Sequence, residues 1–226
     1  MTYSDWDKNR ELLAGGEIHL SFDIEPVSLQ ASRKKKELIT SEIQNVTNNF
    51  EFILVEDVQV DIQWTTSEQK RYESDSSPDV DNILKPILDA ICGPKGILVD
   101  DCQIQAISCH WLNYGSESEN ITINIKMYRN DEWLLKEGLI FVHMGKGLCY
   151  PHVLKDIPPD LSLSIVEKLE EKLKLRDEMI SKGCTYNQAR GIMSLQRIFH
   201  ISRVQEFPII ELAELKRQLI NNNPPL

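Results

Sequence analysis

Two aspartates one residue apart, Asp79 and Asp81, open a run that continues with Lys85 and then Asp89. A second acidic pair, Asp100-Asp101, follows downstream. Carboxylate oxygens are the ligands that hard cations such as Mg²⁺ take, often one or two of them with waters and a substrate phosphate. A bound metal polarises a phosphoryl oxygen and activates water. A nearby ammonium neutralises charge that develops on the phosphorane or the leaving oxygen. Two acidic clusters on separate elements, with a lysine close by, are therefore the parts of metal-assisted phosphodiester hydrolysis. Taken alone, Asp79 and Asp81 read more simply as an acidic helix start, because Asp caps helices and suits the first turn. Asp81 and Lys85 would then be an exposed i,i+4 pair worth about 0.2–0.5 kcal/mol.

The elements that must position these groups are readable from the pattern around them. Gly16–Ile24 alternates in places and predicts a strand. In Arg33–Phe50, Leu38, Ile39, Ile43 and Val46 recur at helical spacing. Val55–Trp64 alternates as Val58, Val60, Ile62, Trp64, a strong strand pattern. Thr65–Pro78 is polar and predicts a loop. The acidic stretch then predicts a helix to about Cys92, ended by Gly93-Pro94-Lys95-Gly96. Pro86 removes an N–H and crowds Asn82. It predicts either a kink or a regular helix that begins only near Lys85. Ile97–Asp101 leads into a strand over Gln103–Tyr114, then a turn, then a strictly alternating strand over Ile121–Tyr128.

After Asn130-Asp131 the character changes. Leu163, Val166, Leu169, Leu173 and Leu175 predict an amphipathic helix within Asp160–Gly183. A second helix is predicted from Asn187 to about Val204, and Pro208 opens a third. The expected fold class is α+β, a small mixed β-sheet with helices packed on one face. Residues 1–131 form that domain, and residues 132–226 a mostly helical C-terminal extension.

The run P-D-V-D-N-I-L-K-P-I-L-D-A-I-x-G, followed after a short gap by V-D-D-x-Q-I, resembles the RusA family of Holliday junction resolvases. The resemblance covers residues 16–130 and includes the order of elements. It implies a RusA-like nuclease domain, a homodimer that uses Mg²⁺ or Mn²⁺ and nicks two strands of a four-way DNA junction in recombination and repair. A two-fold dimer matches a two-fold substrate. On this resemblance Asp79, Asp81 and Asp101 are the metal-holding catalytic carboxylates and Lys85 the functional lysine. Read by themselves, Asn82, Asp89 and Asp100 are supporting residues. Asn82 would hydrogen-bond a carboxylate or the turn, and Asp89 is more simply a helix residue than a ligand. Asp100 would cap or support Asp101, while Gln103 holds the turn rather than touching substrate.

Charge strains the DNA reading. Formal net charge is −10, and residues 1–131 carry about 12 Lys and Arg against about 23 Asp and Glu. Phosphate neutralisation supplies most affinity for DNA, so cations have to be concentrated somewhere. The candidates are Arg33-Lys34-Lys35-Lys36 and Lys70-Arg71. Many relatives carry basic residues just before the first aspartate, where this chain has Ser76-Ser77-Pro78. Arg190, Arg197, His200 and Arg203 would share a helical face, most simply a solvated one. The alternative reading is a RusA-like interaction module of weak or no activity, whose helical tail binds a protein partner.

Other chemistries find little support. The five cysteines have no Cys-x-x-Cys spacing and read as thiols of a reducing cytosol, which points to a cytoplasmic protein. The five histidines show no metal spacing, and His110 reads as structural. The polar start MTYSDWDKNRELL is no signal peptide, and no apolar run reaches the length of about 18 residues that spans a membrane.

Overall fold

The computed structural model describes residues 16–28, 30–74, 78–112, 119–128, 133–155, 157–193 and 197–222. The N-terminal stretch MTYSDWDKNRELL, Ser76-Ser77 and most of the turn before Ile121 lie outside the described residues. The chain divides into two compact units that part between Trp133 and Leu134.

The first unit contains β1 (Glu17–Phe22), α1 (Arg33–Thr47), β2 (Phe52–Leu54) and β3 (Val58–Thr65). It continues with α2 (Glu68–Glu73), α3 (Val80–Ile91), a 3₁₀ turn (Asp101–Gln103), β4 (Ile104–Leu112) and β5 (Asn120–Met127). Its sheet has the order β1-β5-β3-β4. The β3–β4 pair is parallel and the β1–β5 and β3–β5 pairs antiparallel, so the sheet is mixed. A parallel pair needs a long crossover, and α2, α3 and the 3₁₀ turn supply it. The candidate residues therefore sit on the connection between two neighbouring strands.

Alternation builds one buried sheet face. Val58, Val60, Ile62 and Trp64 of β3 lie beside Ile121, Ile123, Ile125 and Met127 of β5, and Ile18, Leu20 and Phe22 of β1 complete the row. Ile39 and Ile43 of α1 and Ile83, Ile87, Ala90 and Ile91 of α3 join the same core. Burying such side chains is the main stabilising term, about 1.5–3 kcal/mol each.

Three local features differ from the sequence pattern or refine it. The polar stretch read as a loop holds the short helix α2, started by the Ser67 hydroxyl, which accepts from the Lys70 N–H at 3.2 Å. The helix expected to kink at Pro86, or to begin near Lys85, runs from Val80 to Ile91 with Pro86 inside it. Pro86 is buried, so its ring is part of the packed face. The bond it removes is the one to the Asn82 carbonyl, in the first turn of α3. Finally, the turn after α3 is pinned from both sides. The Thr47 hydroxyl donates to the Lys95 carbonyl at 2.8 Å. A Cβ added at Gly96 would lie 2.2 Å from the Ile91 carbonyl oxygen, so only glycine fits there.

β6 (Trp133–Leu135) lies at the boundary. The second unit has β7 (Leu139–His143), β8 (Leu148–Val153), α4 (Pro159–Ser181), α5 (Tyr186–Arg190), β9 (Phe199–His200), β10 (Ile209–Glu211) and α6 (Leu212–Asn222). Besides its helices it carries a four-stranded sheet, β10-β7-β8-β9. The β7–β8 hairpin turns at Gly145, Lys146 and Gly147, all at positive φ. The predicted helix over Asn187–Val204 stops at Arg190, and Phe199 and His200 are strand. Arg190, Arg197, His200 and Arg203 therefore lie on separate elements and share no helical face. The amphipathic pattern of α4 does hold: Val166, Leu169 and Leu173 are buried against Val142, Tyr150, Met193 and Leu215. Among the described residues no helix is long and apolar enough to cross a membrane.

Candidate active site

The site begins at the N-terminus of α3. Asp79 is the N-cap, in an extended conformation, yet its side chain makes no capping hydrogen bond. Asp81 lies in the first turn, and both aspartates are exposed. Their carboxylates therefore remain available to something other than the helix.

Lys85, one turn further, reaches across to the 3₁₀ turn. Its Nζ donates to Asp101 Oδ2 at 3.0 Å and pairs with Asp89 Oδ1 at 2.7 Å. Hydrogen bonds to Asp89 and to Asp101 outweigh desolvation and hold its pKa well above the ordinary lysine value. Lys85 is therefore a fixed positive charge.

The turn that carries Asp101 is built by its neighbours. Asp100 caps it, its Oδ1 accepting from the Cys102 N–H at 3.0 Å. Gln103 is fully buried. Its Oε1 accepts from Val99 N–H at 2.7 Å and Asp100 N–H at 3.1 Å. Its Nε2 donates to the Leu54 and Glu56 carbonyls at 3.0 and 2.9 Å. Gln103 thus ties the turn to the chain that leads into β3. Cys92, at the end of α3, is no nucleophile: burial pushes its thiol pKa far up, and the charges of Asp101 and Asp100 add to the shift.

As donors, these groups suit a hard divalent cation: all are carboxylates, and Asp79 and Asp81 are exposed. The geometry is looser than a finished metal centre. Among the described residues no three His, Cys, Asp or Glu side chains converge closely enough to hold an ion. The structure joins Lys85, Asp89 and Asp101, and leaves Asp79 and Asp81 at the helix start.

The candidate cations fall into different settings. Arg33 is paired with Glu37 at 2.6 Å. Lys34 is exposed in the first turn of α1, and Lys36 lines a polar groove with Lys95. Lys35 lines an open cleft that also touches Pro78, Asp79 and Asn82. Lys70 sits between Glu25 and Glu119, at 2.5 and 2.6 Å. Burial opposes its charge, but the hydrogen bonds to Glu119 and Glu25 prevail and raise its pKa. Arg71 stacks over the Trp111 ring at 3.8 Å, and Tyr72 meets the same ring edge-on. The cleft beside Asp79 was not evident in the sequence, because three separated segments form it. Leu38, which the helical spacing groups with Ile39 and Ile43, is exposed beside this cleft, whereas Ile39 and Ile43 are buried.

The crossover of the mixed sheet thus carries an Asp-x-Asp helix start, a lysine one turn on and an Asp-Asp turn. Residues 23–126 match the family model described as Endodeoxyribonuclease RusA. Asp79, Asp81, Lys85 and Asp101 all fall inside the match, whereas β1 and the whole second unit fall outside it. No curated protein matches the chain.

Proposed function

We propose that the chain is a divalent-metal-dependent endodeoxyribonuclease that resolves four-way DNA junctions as a homodimer, each subunit cutting one strand. The observation that carries the reading is the bridge from Lys85 to Asp101 within the family match. It ties α3, whose start carries Asp79 and Asp81, to the turn that carries Asp101.

Asp79, Asp81 and Asp101 would hold Mg²⁺ or Mn²⁺, which when bound supplies charge neutralisation at the phosphate and an acidified water. Lys85 keeps Asp101 aimed along α3 until substrate arrives. Its ammonium N–H groups then donate hydrogen bonds to the oxygen on which negative charge develops. Asp89 holds the lysine from the other side and limits its wandering. Gln103 and Asp100 keep the backbone of the turn rigid, so that Asp101 presents one geometry. Lys34 and Lys35 on α1 supply phosphate contacts.

The test is direct. Purified protein with Mg²⁺ or Mn²⁺ is expected to nick synthetic four-way junctions symmetrically, and EDTA to stop it. Asp81→Asn should abolish cutting without altering the circular dichroism spectrum. Uncut junctions over a range of salt, under conditions in which a reference resolvase cuts them, would refute the proposal.

The pairing of Lys70 with the domain's own carboxylates, added to the net charge of −10, favours a second reading. This is an interaction module that keeps the fold without the activity. Mn²⁺ titration separates the two, since a working metal site gains stability by mass action.

A further inference from the structure

We propose that the cleft beside Asp79 receives one unstacked nucleobase of the DNA strand being cut. The proposal rests on the nuclease reading and extends it. The cleft is open and about 820 Å³, within the size range of small-ligand sites. The β1–α1 connection, the outer side of α1 and the start of α3 form its walls.

The lining suits a base. A nucleobase has two flat apolar faces and a polar edge. Ile24, Val27, Leu38 and Ile39 give the cleft its apolar walls. Leu38 is 58% exposed, an apolar side chain left in water beside a concave surface. For the polar edge there are the carboxamides of Gln30 and Asn82, which also line the cleft. Neither makes a side-chain hydrogen bond among the described residues. Carboxamides read base edges by pairing a donor with an acceptor. Lys35 lines the cleft as well and can hold the phosphate that accompanies the base.

Continuity with the site identifies the occupant. Asp79 belongs to the cleft wall and also to the candidate metal ligands. A strand whose scissile phosphate lies at Asp79 therefore passes the mouth of the cleft with a neighbouring nucleotide. Extruding a base costs unstacking and unpairing energy, which the contacts of the cleft would offset. A base reader at this position would make cutting depend on the nucleotide beside the scissile bond.

The experiment uses the full chain and a four-way junction carrying 2-aminopurine, placed in turn at each nucleotide around the branch. Ca²⁺ replaces Mg²⁺ so that binding proceeds without cutting. Among the described residues no aromatic ring lines the cleft, so an extruded 2-aminopurine is expected to brighten severalfold at one position. Leu38→Glu, on an exposed helix surface, should remove that rise and slow Mg²⁺-dependent cutting about tenfold, equivalent to about 1.4 kcal/mol. Ser41→Glu puts the same charge on α1 beside the other groove and should keep the rise. If a bound and cleavable junction brightens at no position, the base site is refuted and the nuclease reading stands. If both variants lose the rise, charge and not the cleft is responsible, and the base site is again refuted. If the protein neither binds nor cuts junctions, the nuclease reading fails and takes the base site with it.

Discussion

The ammonium of Lys85 lies 3.0 Å from Asp101 Oδ2, although the two residues belong to different elements. Lys85 is half exposed, and Asp101 is about 30% exposed. An ion pair in that setting contributes about 0–1 kcal/mol to folding. Stability alone gives weak reason for the contact. Lys85→Met is therefore expected to shift the melting temperature little and to slow junction cutting about 100-fold or more. Thermal melting and single-turnover cleavage, measured on the same preparation, check both halves.

Gln103 is the opposite case. It is buried and bonded to four backbone groups, at Val99, Asp100, Leu54 and Glu56. Gln103→Leu leaves all four without that partner. Each buried group left unmade costs about 1–3 kcal/mol. The expected loss is about 3 kcal/mol or more, read by chemical denaturation. Because the turn carries Asp101, cutting should fall with stability, and added Mn²⁺ should recover part of both.

Much of the first unit was legible because its signals are local. Strict alternation in β3 and β5 gave two strands of the sheet, and the Asp79-to-Asp101 motif gave the elements that carry the candidate residues. What the sequence hid are relations between distant positions. Lys70 reads as a free cation, yet its partners Glu25 and Glu119 lie 45 and 49 residues away. The cleft beside Asp79 draws on three segments. In the second unit β9 and β10 are two and three residues long, too short for a period to register, and β8 is buried at five of its six positions, so its burial does not alternate. The stretch from Asn187 mimics a helix until Gly191, after which Phe199 pairs with Cys149 in the sheet.

The charge distribution predicts which cations grip DNA. Lys34 and Lys35 are exposed, whereas Lys70 is neutralised by two carboxylates. Each phosphate contact adds about 0.9 to the slope of log affinity against log salt. Replacing both Lys34 and Lys35 by Gln should lower that slope by about 2. Lys70→Gln should leave it almost unchanged. Junction binding in Ca²⁺ across a salt series distinguishes them, and equal effects would argue against the α1 patch.

His152 in β8 predicts how the second unit responds to acid. It is 4% exposed, and its Nε2 has no hydrogen-bond partner among the described residues. Burial disfavours the imidazolium and lowers its pKa from 6.5. As pH falls through 6.5 the unfolded chain binds a proton that the folded protein does not. The unfolded state then holds more protons, so stability falls with falling pH. Above 6.5 both states are neutral at this residue and the effect vanishes. His152→Leu removes the titrating group while keeping an apolar side chain of similar size. The variant is expected to lose less stability than the parent between about pH 7.5 and about pH 5. Amide hydrogen exchange in β7 and β8 reports the opening of this unit by itself. Identical acid sensitivity in the two proteins would show that His152 is not the group responsible.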